Sequence, residues 1–209
     1  MSDHFYEPSK GHGLKHNPFK AIVAPRPIGW ISSVDRQGRV NLAPYSYFNA
    51  LCDSPPLLTF CTTGDKKDSV RNIEETGEFV ANLVGADLAQ AMNMTSASVA
   101  PGVNEFELAN LEAAPSTLVK PPRVAEAIAA MECKLTQIIQ LTDLQGTKIN
   151  AWLTIGEVIG VHIKNEFIKD GIFDTAAARP LGRCGYRGDY VEVNKIFEMV
   201  RPKEYTGTI

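Results

Sequence analysis

The stretch that decides the fold is residues 28–43, IGWISSVDRQGRVNLA. It contains two short apolar runs, Ile28–Val34 and Val40–Ala43, on either side of the sequence DRQG at residues 35–38. These four residues are typical of a turn, and the glycine adopts a positive φ without steric cost. Two strand-like runs joined by a short turn predict a β-hairpin. The chain is therefore expected to build its core from antiparallel strands.

Strand patterns continue on both sides of this hairpin. Apolar or β-branched runs of strand length occur at Ala21–Ala24, Leu57–Thr63, Phe79–Val84, Leu135–Leu141 and Ile149–Ile163. Gly146 lies between the last two runs and predicts the turn that joins them. Many short strands with few helices indicate a mainly β fold, a β barrel with appended helices.

Helices are predicted at two places, and a third segment stays open. A helix is expected over Ser69–Thr76, with residue 68 or 69 as its cap and Gly77 at its end. A second helix is expected over Asp87–Asn93. The segment Val124–Met131 (VAEAIAAM) favours helix by propensity, but its flanks also allow a strand that continues into residues 132–141.

The length and the sequence pattern predict a single domain over residues 1–209. Residues 1–18 are polar, with glycine, proline and three histidines, and are expected to form an irregular leader. Residues 95–117 are rich in small residues and proline and are expected to form a surface excursion.

Charge and composition exclude several classes of partner. Lys and Arg total 21 against 24 Asp and Glu, a net charge of −3, whereas nucleic-acid-binding proteins usually carry a basic excess. No window approaches the ~18 to 20 apolar residues of a membrane span, and the first residues lack the apolar core of a signal peptide. Sparse cysteines suit a reducing compartment; they are Cys52, Cys61, Cys133 and Cys184. We expect a cytoplasmic protein that binds neither nucleic acid nor membrane.

Motifs of the common enzyme classes are missing from the sequence. No G-x-G-x-x-G lies between a strand and a helix, and no P-loop, H-E-x-x-H or G-x-S-x-G occurs. His12 and His16 are four residues apart, but the glycines and proline around them oppose a helix that would bring them together. No metal site is therefore expected, and the sequence contains no motif that would indicate hydrolase or kinase chemistry.

Three segments of the first half, taken in order, carry a family resemblance. They are APRPIGWISS at 24–33, NLAPYSYFN at 41–49 followed by PP at 55–56, and KDS at 67–69 with NI at 72–73 and GEFVANL at 77–83. Together they resemble the flavin reductase-like family of FMN-binding split barrels, in the branch that carries an RPIGW block and includes flavoredoxin-like proteins. The resemblance covers roughly residues 14–200.

The resemblance implies a six-stranded, antiparallel Greek-key barrel that forms a homodimer, with a flavin near the subunit interface. The expected cofactor is FMN rather than FAD. The flavin carries the redox chemistry and the protein positions it, so no catalytic side chain is predicted. The resemblance also implies a late block of proline, arginine, glycines and tyrosine, seen at residues 180–186 with Tyr190, which would line the cofactor or the dimer seam.

The predicted cofactor-binding residues follow from this resemblance and from the chemistry of FMN. Aromatic side chains would wall the flavin ring, and cations at a helix start would hold its phosphate. The full set is Arg26, Ile28, Trp30, Ser46, Tyr47, Phe48, Asn49, Lys66, Lys67, Ser69, Asn82, His162 and Arg183.

Four of these interpretations have a plain alternative. Trp30 lies in an apolar run and is either core or cofactor wall. Asn82 needs a hydrogen-bond partner if it is buried, either backbone or flavin. His162 is either a structural residue of its strand or, as the resemblance implies, approaches the flavin from the second subunit. Cys184 replaces the aliphatic residue that the resemblance leads us to expect in its block, and is either a packing residue or a reactive thiol.

Two functions are consistent with these motifs. The first is an FMN-dependent oxidoreductase, a flavin reductase that uses NADH or NADPH as hydride donor. The second is a non-enzymatic, flavoredoxin-like electron carrier with tightly bound FMN and a redox partner protein. The sequence does not discriminate between them, nor between the two nicotinamide nucleotides.

Overall fold

The computed structural model describes residues 2–100, 102–200 and 202. Its strands are β1 Arg26–Pro27, β2 Gly29–Val34, β3 Val40–Tyr45, β4 Phe48–Asp53, β5 Pro56–Thr63, β6 Glu78–Asn82, β7 Ala113–Ala114, β8 Arg123–Val124, β9 Ala129–Thr142, β10 Lys148–Ile163, β11 Ile168–Lys169, β12 Ile172–Phe173, β13 Leu181–Arg183 and β14 Tyr190–Glu192. Its helices are α1 Phe19–Ile22, α2 Asp68–Thr76, α3 Ala89–Met94, α4 Glu105–Leu108 and α5 Thr175–Ala178, with 3-10 turns at Pro8–Lys10, Ala86–Leu88 and Asn165–Phe167. Within these ranges no helix has the length and apolarity that a bilayer crossing requires.

Seven strands form the main sheet, in the order β3-β2-β6-β9-β10-β5-β4, and every pairing is antiparallel. A three-stranded sheet, β1-β13-β14, joins the chain before β2 to the late segment. The mainly β prediction is confirmed. The main hydrogen-bonded sheet has seven strands rather than the six expected of the barrel.

The sheet curls until its two edges meet. β3 and β4 lie at opposite edges, yet only residues 46 and 47 separate them in the chain. At this junction a Cβ added to Gly29 of β2 would lie 2.3 Å from Cδ2 of Phe48 in β4. Tyr45 of β3 stacks on Phe60 of β5, with ring centroids 4.9 Å apart. Glycine is required at position 29 because the Phe48 ring occupies the space of a side chain.

β2 is buried along its whole length because both of its faces are covered. Side chains alternate between the two faces of a strand. Ile31 points into the barrel interior, against Phe60 and Phe79. Trp30 points the other way, into a second cluster to which Met92 of α3 belongs. The strand thus separates two apolar cores.

The hairpin and the first long helix form as predicted. β2 and β3 pair antiparallel from Gly29↔Tyr45 to Val34↔Val40. α2 ends at Gly77, which has a φ of 73° and whose N–H donates to the carbonyl of Ile73. β5, β6, β9 and β10 overlap the predicted strands, and Gly146 has the positive φ of the expected turn.

Other local predictions are wrong for reasons of tertiary context. Ala21–Ala24 is not a strand, because α1 covers Phe19–Ile22. The cap of α2 is the backbone of Lys67, and Asp68 is already the first helical residue. The ambiguous segment Val124–Met131 contains the end of β8, a turn and the start of β9, and no helix.

The predicted surface excursion at residues 95–117 is in part an anchored layer. α4 lies within it, and both Glu105 and Phe106 are buried. A carboxylate oxygen of Glu105 accepts the Leu42 N–H at 2.9 Å, which ties the segment to β3. Thr95 is also buried, at the end of α3. The composition of the segment did not predict these buried contacts, because small residues dominate it.

Candidate functional site

The corner between β3 and β4, residues Tyr45 to Tyr47, is fixed from two sides. The Tyr47 carbonyl accepts the Cys61 N–H at 2.8 Å. The Tyr45 hydroxyl donates to Oγ of Ser69 at 2.9 Å. Burial raises the pKa of Tyr45 to about 12, so the phenol remains a donor at neutral pH. The corner is thereby tied to the first turn of α2.

The Ser69 hydroxyl is engaged in hydrogen bonds within the protein. Its hydroxyl oxygen accepts from Tyr45 and also from Nδ2 of Asn41, at 2.8 Å, and the residue is fully buried. A ligand at the surface therefore cannot reach the side chain, and the prediction that Ser69 binds the cofactor directly is corrected. Its role is to hold the corner against α2.

The start of α2 presents one free cation. Lys66 pairs with Glu74, Nζ to Oε2 at 2.5 Å, and Asp68 pairs with Arg71. Lys67 is exposed and has no carboxylate within 4.0 Å among the residues that the structure describes. α2 is nine residues long, so its first-turn N–H groups and dipole add to the positive potential beside Lys67. Of the predicted lysine pair, Lys67 is therefore the one available to an anion.

A cleft of about 420 Å³, which we call the corner cleft, opens beside Ser46. Its apolar lining, which we call the floor, consists of Ile28, Pro44 and Met92. The rest of the lining is polar, aromatic or basic: Ser46, Asn93, Ser96, Arg183, Arg187, Gly188 and Tyr190. Cζ of Arg183 lies 4.5 Å from the centroid of the Tyr190 ring, a distance at which guanidinium and ring attract each other. The volume is within the range of about 300 to 1,000 Å³ typical of small-molecule sites.

A second cleft of about 520 Å³, the leader cleft, lies on the other side of Arg183. It is lined by His16, Lys20, Arg26, Arg183, Tyr186 and Arg187. β1 pairs with β13 so that Arg26 lies opposite Arg183. Nζ of Lys20 lies 5.7 Å from the ring centroid of Tyr47, which connects this cleft to the corner. Arg183 and Arg187 line both clefts.

Arg26 is buried, with 6% of its surface exposed, and its guanidinium donates to the carbonyls of Lys20 and Val23. These bonds explain why α1 forms where the sequence favoured a strand. Nε of Arg26 is buried without a hydrogen-bond partner in the described part of the chain. A buried N–H without an acceptor is costly and in native proteins requires an explanation.

Two predicted ligands are core residues. Trp30 is fully buried and its Nε1 donates to Oγ1 of Thr95 at 2.9 Å. Asn82 donates through Nδ2 to the Trp30 carbonyl at 3.0 Å and accepts the Val124 N–H at 2.9 Å. Both polar groups are satisfied by the protein itself. Trp30 is therefore a core residue, and the partner of Asn82 is the backbone. The prediction that either side chain contacts the cofactor directly is corrected.

Phe48 and Asn49 follow the corner but face different surroundings. The Phe48 ring packs against the barrel core, at Gly29. Asn49 is exposed, and its Oδ1 accepts the N–H of Ala50 at 3.0 Å. Phe48 therefore supports the corner from below, while Asn49 stays accessible on β4.

His162 shares a row of the main sheet with two other predicted residues: Ala130 of β9 pairs with both His162 and Asn82, and Asn82 pairs with Trp30 of β2. Along β10 it lies eight residues beyond Thr154, which pairs with Phe60 of β5, and thus about 26 Å along the strand from that residue. Its Nε2 lies 2.5 Å from Oε1 of Glu132. Glu132 is fully buried and also accepts the N–H groups of residues 117–119, at 2.6 to 3.1 Å. Burial would raise the pKa of Glu132, but these hydrogen bonds and His162 hold it below its ordinary value.

The structure adds residues that sequence reasoning missed. Lys20 and His16 were placed in or next to the irregular leader, and Arg187 follows the late block without belonging to it. Met92 joins the floor of the corner cleft from α3. The sequence could have indicated only the basic residues among these, as further cations near the predicted arginines. Nothing in the sequence indicates that Met92 lines a cleft.

A further cleft of about 230 Å³ beside α2 differs in its charges. Its arginines are neutralised locally, because Arg39 pairs with Asp35 at 2.6 Å and Arg71 pairs with Asp68. The corner and leader clefts keep their cations unpaired. The predicted residues Arg26, Ile28, Ser46 and Arg183 line these two clefts, and Tyr47 lies next to Lys20 of the leader cleft.

Residues 23–181 match the family described as flavin reductase like domain. The match covers more than half of the chain, and the chain belongs to the flavin reductase-like domain family. The three segments that suggested this family lie within the matched range, and the predicted recognition is confirmed.

Solved structures support the same assignment. Nitrilotriacetate monooxygenase component B from Bacillus cereus is 30% identical, with a TM-score of 0.85, over 95% of this chain and 100% of that one. The 2-nitrobenzoate 2-nitroreductase of Pseudomonas fluorescens is 27% identical, with a TM-score of 0.83, over 98% and 100% of the two chains. A protein with a split barrel domain from Shewanella frigidimarina, 22% identical over 88% and 90%, shares the fold at a TM-score of 0.78. The fold is a split barrel, as predicted.

Proposed function

We propose that this protein binds FMN in the corner cleft and acts as a flavin reductase that takes hydride from NADH or NADPH. Membership of the flavin reductase-like family places the chain among flavin-related oxidoreductases. The observation that carries the proposal is the corner cleft itself, where an apolar floor and the Arg183–Tyr190 pair lie beside the fixed corner at Ser46.

The residues present fit a flavin. Ile28, Pro44 and Met92 give the apolar floor that a flat ring requires, and Tyr190 gives an aromatic face. Lys67 and the first turn of α2 do not line the corner cleft, but α2 is tied to the corner through Ser69 and Tyr45, and we propose that they hold the phosphate.

Each protein group has a definable task in this proposal. FMN when bound supplies the chemistry of accepting and giving up hydride. Arg183 places positive charge at the cleft rim, which favours the anionic state of a reduced flavin over the neutral oxidised state. Ser46 and Tyr47 offer backbone groups on a corner held by Tyr45 and Cys61. None of these residues needs to become a nucleophile or a general acid.

The nitroreductase resemblance also supports reductase chemistry. Nitrilotriacetate monooxygenase component B and 2-nitrobenzoate 2-nitroreductase cover nearly all of this chain at 30% and 27% identity. Their names describe catalytic systems. We therefore place turnover ahead of electron carriage for this protein.

Anaerobic stopped-flow mixing of FMN-loaded protein with NADH or NADPH tests the proposal. We expect rapid loss of the visible flavin absorbance, followed by repeated turnover when free flavin is added as acceptor. An Arg183→Gln variant is expected to bind FMN more weakly and to reduce it more slowly. The matched control Arg36→Gln, in the exposed β2–β3 turn, keeps both properties.

Two results would redirect the proposal. A yellow protein that neither nucleotide reduces identifies the flavoredoxin-like carrier with a redox partner protein. A protein that acquires no flavin absorbance after incubation with FMN overturns the proposed function.

A homodimer is proposed with the same function. Edge strand β4 is exposed along five of its six residues and carries Leu51 at 51% exposure. Sedimentation analysis is expected to give twice the monomer mass. If His162 reaches a flavin across the dimer, His162→Ala weakens FMN binding only in the dimer; unchanged affinity assigns His162 to Glu132 alone.

A further inference from the structure

The leader cleft concentrates positive charge. Lys20, Arg26, Arg183 and Arg187 all line it. In the part of the chain that the structure describes, none of the four has a carboxylate within 4.0 Å. The nearby carboxylate of Asp189 is engaged elsewhere in its own loop, where it accepts the Tyr186 N–H at 2.7 Å.

The buried member of this cluster is preorganised for an anion. Arg26 lies between two prolines, and its guanidinium is fixed by the carbonyls of Lys20 and Val23. An anion in the leader cleft would meet a guanidinium that is already held in place, so its binding would cost little side-chain entropy.

The leader cleft continues from the corner cleft. Arg183 and Arg187 line both, so a donor bound in the leader cleft would lie next to a flavin bound in the corner cleft. The leader cleft also contains flat rings beside its cations, since the rings of His16 and Tyr186 lie 5.7 Å apart. Cations next to aromatic faces suit a nucleotide, whose phosphates and base need both.

We propose that the leader cleft binds the phosphate-bearing, adenosine end of NADPH and that its unpaired cations select NADPH over NADH. The inference rests on the proposed reductase function and names its electron donor. NADPH differs from NADH by a 2′-phosphate, which carries about −1.5 to −2 charge at pH 7. Arginine forks bind such a phosphate, whereas a carboxylate is the usual partner of the free 2′-hydroxyl. Within the described residues, no Asp or Glu lines this cleft.

The two anion sites would then have separate tasks. Lys67 and the α2 start hold the flavin phosphate, while the leader cleft holds the phosphates of the donor. Nζ of Lys20 in the leader cleft lies 5.7 Å from the Tyr47 ring centroid, and α2 is tied to the same corner through Ser69 and Tyr45, so both anion sites adjoin the corner.

The test compares NADPH with NADH on FMN-loaded protein, with Lys20→Gln and Arg187→Gln as variants. Lys148→Gln and Arg36→Gln are the matched controls, since both residues are exposed and line neither cleft. For the wild type we expect a kcat/KM at least about tenfold higher with NADPH, as a charge-assisted contact to phosphate would give. Each cleft variant should reduce this preference severalfold by raising the KM for NADPH, and added salt should reduce it as well. The controls keep the wild-type preference.

Calorimetric titration with NADP⁺ and NAD⁺ gives a second readout that needs no turnover. Tighter binding of NADP⁺, lost in both cleft variants, supports the inference. Equal kcat/KM for the two donors, or a preference that both variants retain, overturns it and leaves the reductase function standing. Loss of FMN from Lys20→Gln also overturns it, because the cleft would then belong to the flavin. Failure of both nucleotides to reduce the flavin refutes the proposed function itself; NADP⁺ binding no tighter than NAD⁺ binding would then refute the cleft assignment too.

Discussion

Replacing Gly29 by alanine tests the closure of the curled sheet and its effect on the site. The new Cβ would lie 2.3 Å from Cδ2 and 2.7 Å from Cγ of Phe48. Carbon atoms in contact are normally about 3.5 to 4.0 Å apart, so the ring must retreat by more than about 1 Å. Phe48 is half-buried and packs against the barrel core, so any retreat of its ring loses core contacts.

The expected cost follows from this overlap. Forcing an extra methyl into a packed core costs about 1 to 3 kcal/mol. A loss of about 2 kcal/mol lowers the melting temperature of a protein of this size by about 4 to 8 °C. Because Phe48 directly follows Tyr47, the displaced ring should also shift the corner, and FMN should bind more weakly. Thermal unfolding and fluorescence titration with FMN measure the two effects at one fixed protein concentration.

The control and the refuting result are both available in this chain. In Gly160→Ala the nearest atom to the new Cβ is Cδ1 of Leu118, at 3.3 Å, and Leu118 is 52% exposed and free to move. We expect this control to lose less than about 0.5 kcal/mol. Adding Phe48→Leu to Gly29→Ala should restore part of the lost stability. A Gly29→Ala protein as stable as the wild type would show that β2 and β4 do not meet.

Three further changes test the buried polar groups. Glu132→Gln should lower the free energy of unfolding at neutral pH by about 1 to 3 kcal/mol. Burial raises the pKa of Glu132, but hydrogen bonds outweigh it and hold the pKa below the ordinary 4.5, so this stabilisation is complete above pH about 4.5 and lost in more acidic solution. Urea unfolding across pH should therefore show the two proteins converging in acid, and a constant gap would contradict the argument. Thr95→Val leaves Nε1 of Trp30 without its acceptor and should cost about 1 to 3 kcal/mol in thermal unfolding, with FMN affinity unchanged; weaker FMN binding would return Trp30 to the cofactor wall. Tyr45→Phe removes the donor to Ser69 and should cost about 1 kcal/mol and weaken FMN binding measurably by fluorescence titration, whereas unchanged affinity would show that the corner needs no tie to α2.

Local patterns were sufficient for much of the fold. The hairpin at residues 28–43 and the end of α2 at Gly77 depend on neighbouring residues, so their sequences predict them. α1 depends on Arg26, whose guanidinium holds the carbonyls of Lys20 and Val23. This contact outweighs the strand preference of Ala21–Ala24, and propensity alone could not show it.

The site was predictable where a residue's backbone position sets its role. Ser46 lies at a corner and Arg183 on a strand opposite Arg26, so both reach the clefts. Ser69 is buried because the first turn of α2 packs onto β3, and Asn82 is buried because the segment at Val124 covers its strand. The sequence cannot show which face of a helix or strand will be covered in this way. Lys20 and Arg187 were missed because folding brings together residues that are far apart in the chain.

The central claim is that the β3–β4 corner is a flavin site, and a crystal structure of the protein grown with FMN tests it most directly. The account predicts ring density in the corner cleft, against Ser46 and Tyr190, with the phosphate at Lys67 and the start of α2. Density for the flavin at another place, or its phosphate in the leader cleft beside Arg26, would contradict the account.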